Sequence, residues 1–201
     1  MKWLTNYFNS DNFLKGNLGI AIVKAMLENS GYTVCHYGYE YTMLDAFSKR
    51  TFKKSNSTTG RRIRSAPDLL VYDDKDVMML VEVKTRSKSK WMETDGIWLR
   101  RDEIEALKEF WNETVLVVVV PVGFYAKRIN SLEIQQDDHY RLSDFDKFQD
   151  IFTKVQSEGI SHYEEIALQI FKIFTTKKEK TLKNTPPPYE LEIESNINNV
   201  N

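Results

Sequence analysis

Residues 114–122, TVLVVVVPV, form a continuous apolar run. A strand with one face in water alternates apolar and polar side chains, so a run without alternation is a strand covered on both faces. That segment commits the chain to a sheet with other layers packed on each side. The rest of the sequence supplies the partners. Pro67–Tyr72 and Val77–Lys84 are two apolar runs separated by Asp73-Asp74-Lys75-Asp76, the pattern of a hairpin. Tyr32–Tyr37 is β-branched and aromatic and reads as a strand, and a further strand is expected near Phe124–Ile129.

Helices are expected around these strands. Residues 17–30 place Leu18, Ala21, Ile22, Ala25 and Met26 at helical spacing, and Gly31 follows as a stop. Residues 101–111, RDEIEALKEFW, set Ile104, Leu107, Phe110 and Trp111 on one side. Ser143 before 144–155 and Ser161 before 162–174 look like two capped helices. Residues 53–60 are rich in Ser, Thr and Asn and read as a loop. From residue 177 the chain becomes Lys-rich, then Pro186-Pro187-Pro188, then Asn-rich, so 1–176 is expected as one domain and 177–201 as a tail with a stiff spacer. The order helix, strand, hairpin, helix, strand, helices implies an α/β fold: a central mixed β-sheet flanked by helices, with extra C-terminal helices.

Composition removes several function classes. Apolar residues are 41% and charged residues 28% of 201, a globular balance. No apolar run approaches the ~20 residues of a membrane span, and the N-terminus lacks the apolar stretch of a secretory signal. The expected location is intracellular, with no membrane partner. A single cysteine, Cys35, excludes an internal disulfide, a Cys-rich zinc site and a four-cysteine iron–sulfur cluster; it reads as a small buried hydrophobe. His36, His139 and His162 share no ligand spacing and read as structural or surface residues.

Net charge is −1, from 28 basic and 29 acidic residues, yet the charge is segregated. Residues 49–64, KRTFKKSNSTTGRRIR, and 84–91, KTRSKSKW, hold 11 of the 28 Lys and Arg and no acid. A local basic surface is what phosphate binding requires, whatever the total. The expected phosphate contacts are Lys53, Lys54, Arg61, Arg62, Arg64 and Arg86, with Lys88 and Lys90 behind them. Trp91 and Trp98 could stack on an unpaired base, though packing against the sheet is the favoured role.

The chemistry is concentrated in the hairpin. Glu82 and Lys84 share one face of their strand, Val81 and Val83 the other. The fold-back sets Asp68 opposite Glu82 and Lys84, so two carboxylates and a lysine converge at one end of the sheet. Two like charges buried together are costly unless a cation neutralises them. Oxygen-only ligands suit Mg²⁺, with Mn²⁺ as a substitute, and Asp68, Glu82 and the Val83 carbonyl form a plausible partial shell. Such an ion polarises a phosphate, and Lys84 is placed to orient water or neutralise developing charge.

Pro67-Asp68 followed by Glu82-Val83-Lys84 resembles the PD-(D/E)XK nuclease superfamily, and within it the archaeal Holliday-junction resolvases. The similarity runs from about Gly16 to Val122, through GNLGIAIVKAMLENSGY, SAPDLLVY, LVEVKTR, GIWLRRDEIEALKEFW and TVLVVVVPV. A kinship with nucleases of archaeal spindle-shaped viruses, and hence a host-cytoplasmic location, is a further expectation. The resemblance implies a homodimeric, Mg²⁺-dependent endonuclease acting on branched DNA, with Asp68 and Glu82 as metal ligands and Lys84 as the catalytic lysine. The family's glutamate in the first helix falls at Ile20 here. Asn17, one turn earlier, and Glu40, after the first strand, are the replacement candidates. The alternatives are a sequence-specific restriction-type endonuclease and a catalytically inactive nucleic-acid-binding protein that retains the fold. Ile166, Leu168, Ile170, Phe171, Ile173 and Phe174 could serve as core or as a dimer face.

Overall fold

The computed structural model describes residues 2–38, 57–75, 77–86 and 96–183, with side chains between residues 13 and 173 of those ranges. The chain folds as expected into an α/β arrangement around a mixed sheet. In order, its elements are α1 (Lys2–Asn29), β1 (Thr33–His36), α2 (Thr58–Arg64), β2 (Leu69–Tyr72), β3 (Met78–Thr85), β4 (Gly96–Trp98), α3 (Arg101–Phe110), β5 (Val115–Val120) and β6 (Gly123–Arg128). After a 3-10 turn come β7 (His139–Arg141), β8 (Asp146–Lys147), α4 (Phe148–Ile151) and α5 (Ser157–Lys183).

Six strands form the main sheet in the order β1-β2-β3-β5-β6-β8, while β4 and β7 pair as a separate ribbon. All main-sheet pairs are antiparallel except β3 and β5. A parallel pair needs a crossover, and here β4 and α3 provide it. The apolar β5 run is covered on both sides. Val115, Val117 and Val119 enter one core with Ile20, Val23, Met26 and Leu27 of α1 and with Phe148 and Phe171. Leu116, Val118 and Val120 enter a second core with Ile104 and Leu107 of α3, Ile97, Leu99 and Tyr140.

Two glycines are required by the geometry. Gly31 ends α1 at φ 85°, a left-handed conformation that glycine adopts without steric cost. The amides of Gly31 and Tyr32 there return to the Glu28 and Leu27 carbonyls. Gly19 lets α1 lie against the end of β3: a Cβ at this position would run into Thr85 Oγ1.

Several local expectations are corrected. The first helix starts at Lys2 rather than residue 17, and its inward face is Ile20, Ile22, Val23, Met26 and Leu27, while Ala21 is exposed. Residues 58–60, expected in the loop over 53–60, instead open α2, because the Ser57 hydroxyl caps the first turn by accepting the Gly60 N–H at 3.1 Å; residues 53–56 lie outside the described residues. The helix expected over 144–155 is reduced to α4, since Asp146–Lys147 pair with β6 instead. Ser161 lies inside α5, its hydroxyl donating to the Ser157 carbonyl at 3.1 Å. The backbone of α5 runs from Ser157 to Lys183. Cys35 is exposed rather than buried, because the strand alternation gives the covered face of β1 to Val34. The β4–β7 ribbon had no counterpart in the periodicity. Of the C-terminal apolar set, Phe171 is buried, Ile166 and Ile170 pack on the core as partly buried residues, and Leu168 and Ile173 are exposed. No described helix is long and apolar enough to cross a membrane.

Candidate functional site

The hairpin register decides which side chains meet. Leu69 pairs with Val81, so the residue before β2, Asp68, stands opposite Glu82. Val81 and Val83 enter the α1-side core. Glu82 and Lys84 register with Leu116 and Val118, residues of the α3-side core, so they emerge on the face that α3 covers. Asp68 reaches across the hairpin: its Oδ2 accepts the Val83 N–H at 2.8 Å. Its carbonyl accepts the amides of Tyr37 (2.9 Å) and Gly38 (3.3 Å), which pins the segment leaving β1 against it.

Asp68, Glu82 and Lys84 line a cavity of about 510 Å³ together with Gly38, Arg61, Arg64, Asp102, Glu103 and Glu105. One wall is the hairpin, a second is α2 with its arginines, and the third is the first two turns of α3. Among the described lining residues five carboxylates (Asp68, Glu82, Asp102, Glu103, Glu105) face three cations (Arg61, Arg64, Lys84). A cavity with that balance disfavours a phosphate until a further cation offsets the excess.

Glu82 is nearly buried, 9% exposed, and the Lys84 ammonium sits 2.8 Å from its Oε1 and 2.9 Å from Oε2 of Glu103. Burial acts to lower the Lys84 pKa, but the charges of Glu82 and Glu103 and their hydrogen bonds outweigh it, and the ammonium is held above the ordinary lysine value. Arg86, half-buried, donates from Nε to the Trp98 carbonyl (2.8 Å) and from Nη1 to the Thr85 carbonyl (3.0 Å), tying the end of β3 to β4. Burial pushes its pKa down, against the charges of Glu103 and Glu82.

The three hairpin residues thus share one cavity. Arg61 and Arg64 share it too, one helical turn apart on α2. Arg61 also pairs with Glu109 at 2.9 Å and covers the Phe110 ring. Arg62 points elsewhere: its guanidinium lies 5.4 Å from the centre of the Trp111 ring, and its carbonyl accepts the Trp111 Nε1–H. Val83 is not among the cavity-lining residues; its amide supports Asp68. Asn17 is half-buried on α1 and does not line the cavity, and Ile20 is packed in the core. Glu40, Lys53, Lys54, Lys88, Lys90 and Trp91 lie outside the described residues. Trp98, expected against the sheet, is 62% exposed on the β4–β7 ribbon, its ring in an edge-to-face contact with His139.

Glu103 is the residue that sequence reasoning missed. It sits in the first turn of an amphipathic helix, where an acidic side chain is ordinary company for the helix dipole. Only the β3–α3–β5 crossover brings it to Lys84.

Asp68 and Glu82 offer hard oxygen donors beside open space. Mg²⁺ is commonly held by one or two carboxylates, completed by water and substrate phosphate, so this pair fits a single such ion. Among the described residues no group of three or more His, Cys, Asp or Glu is arranged to hold a metal.

No family model matches the chain, and no curated protein does. Among solved structures the chain is similar to Hjc, a Holliday junction resolvase from the archaeal hyperthermophile Archaeoglobus fulgidus, at a TM-score of 0.45 and 14% identity, covering 71% of this chain and 99% of that chain.

Proposed function

We propose that this chain is a divalent-metal-dependent DNA endonuclease that hydrolyses phosphodiester bonds in branched or four-way-junction DNA, acting as a homodimer. The observation that carries the reading is the convergence of Asp68, Glu82 and Lys84 on one open cavity beside the arginines of α2. The sequence resemblance to junction resolvases supports the branched substrate and the dimer.

In this reading Asp68 and Glu82 hold Mg²⁺, or Mn²⁺ in its place. The bound ion would supply Lewis-acid polarisation of the phosphate and a lowered pKa for an attacking water. The chain does the rest. Asp68 is held in place by the Val83 N–H, so its carboxylate needs no reorganisation when DNA arrives. Lys84, its ammonium held between Glu82 and Glu103, stands where it neutralises charge developing on the phosphate oxygens. Arg61 and Arg64 take phosphates along the strand that enters the cavity. Lys53, Lys54, Lys88 and Lys90 extend that basic path in the sequence.

Ile20, packed in the core where the resembling family has an acid, favours a second reading: a DNA-binding protein without cleavage. Purified protein incubated with a four-way junction and with linear duplexes of the same sequence, in Mg²⁺, Mn²⁺ or EDTA, separates the two. Junction cutting that needs the metal and disappears in Asp68→Ala, with binding retained, supports the nuclease. Cutting of particular duplex sequences only replaces the resolvase by a restriction-type enzyme. Binding without cutting in any metal leaves the second reading.

A further inference from the structure

We infer that Glu103 is a positioning residue of this site: from the first turn of α3 it holds the Lys84 ammonium jointly with Glu82, fixing where that charge stands in the cavity. The inference rests on the reading of the site as a nuclease centre.

Lys84 leaves β3 on the same face as Glu82, two residues away. A lysine paired only with that neighbour could follow it along the strand, because four rotatable bonds carry its head group. The second carboxylate comes from a different element. With Glu82 Oε1 at 2.8 Å and Glu103 Oε2 at 2.9 Å, two of the three ammonium protons have acceptors on opposite walls. The third donor is left for a water or a phosphate oxygen. Glu103 is itself steadied. Its amide donates to the Arg100 carbonyl at 3.1 Å, and its Oε1 lies 3.9 Å from Arg100 Nε. Asp102, the neighbour on the same turn, takes Arg100 Nη2 at 2.6 Å and leaves Glu103 turned to Lys84.

The arrangement also separates roles. Glu82 is nearly buried and is the carboxylate offered to a cation, so its bond to Lys84 competes with that use. Glu103, 36% exposed in its side chain, gives Lys84 an anchor that does not depend on Glu82.

Two variants and three readouts, the third being Mn²⁺ binding, test this. Glu103→Ala removes the acceptor, and Glu103→Gln keeps an acceptor oxygen without the charge. The first readout is single-turnover cleavage of a four-way junction, together with DNA binding in Ca²⁺. Glu103→Ala is expected to slow cleavage on the order of 10–100-fold, as for a displaced catalytic group, with DNA affinity unchanged or tighter. Glu103→Gln should recover most of the rate. The second readout is the order of the Lys84 side-chain ammonium in ¹⁵N NMR of the full chain, which needs no cleavage. It should fall in Glu103→Ala and recover in Glu103→Gln. Unchanged Lys84 order in Glu103→Ala overturns the inference, whatever the rate does. Weaker Mn²⁺ binding by Glu103→Gln also overturns it, by making Glu103 a metal ligand. If the wild type cuts no DNA but Lys84 loosens in Glu103→Ala, the nuclease reading fails and the positioning contact stands.

Discussion

Asp68 and Val83 are joined across the β2–β3 hairpin by a 2.8 Å bond from the Val83 amide to the Asp68 Oδ2. A side chain outside the ladder thus completes it and places a carboxylate beside Glu82. The bond gives Asp68 two separable duties, one structural and one chemical. Asn at this position can still accept the amide proton, whereas Ala cannot. Asp68→Asn is expected to stay within about 1 kcal/mol of wild-type stability, and Asp68→Ala to lose about 1–3 kcal/mol, the cost of a half-buried donor left without its partner. Both should lose metal-dependent cleavage. Urea unfolding measures the first difference and a junction-cutting assay the second; equal stability loss in the two variants would mean the Val83 bond contributes nothing.

The close approach of Gly19 to Thr85 makes a second prediction. A methyl group at Gly19 would run into Thr85 Oγ1 and stand 3.2 Å from Thr85 Cβ, so the Thr85 side chain has to turn and α1 has to ease away from the end of β3. Overpacking of this kind costs about 1–3 kcal/mol. Among the described residues, the buried Thr85 Oγ1 has no hydrogen-bond partner, so its removal strands no donor or acceptor there. Gly19→Ala should therefore destabilise the chain, and Thr85→Ala should recover part of that loss in the double variant. A double-mutant cycle read by thermal melting checks it; strictly additive effects would show that the two residues do not collide.

The site was legible in sequence to the extent that it depends on strand arithmetic. Alternation put Glu82 and Lys84 on one face, the Asp73–Asp76 turn set the fold-back, and together these placed Asp68 opposite them. The doubly covered β5 was equally plain from its composition. What stayed hidden depends on which helix the crossover lays over which strand. Glu103 looks like any first-turn acid until α3 is set on the α3-side core. The same reason hides the difference between Arg62 and Arg64, which share a basic run but leave a helix in different directions. The short β4 and β7 escaped because three residues carry too little periodicity to register, and α5 was mis-started because Ser161 resembles a cap when it is one turn inside.

His36 gives the chain a pH dependence unconnected with catalysis. Burial and the Lys24 charge hold its pKa below the ordinary 6.5, with Glu28 acting in the opposite direction. A histidine so placed takes up its proton more readily in the unfolded chain. Its stability contribution is complete above the unfolded pKa and falls as pH drops through and below it. Thermal melts from about pH 7.5 to about pH 5 should show a steeper loss for the wild type than for His36→Gln. Parallel curves would mean that His36 titrates alike in both states.

The arginines of α2 can be told apart by salt. Arg64 lines the cavity, whereas the Arg62 guanidinium lies over Trp111 and its backbone carbonyl holds the indole N–H. Each phosphate neutralised by a side chain contributes about 0.9 to the slope of log K against log salt. Arg64→Ala should weaken junction binding and flatten that slope by about one contact. Arg62→Ala should leave the slope unchanged and instead loosen the α2–α3 contact, seen as a lower melting temperature. Binding titrations in Ca²⁺ across a salt series measure both. The opposite pattern, with Arg62 setting the slope and Arg64 silent, would move the DNA path from the cavity mouth to the outer face of α2, and with it the route by which a phosphate reaches Lys84.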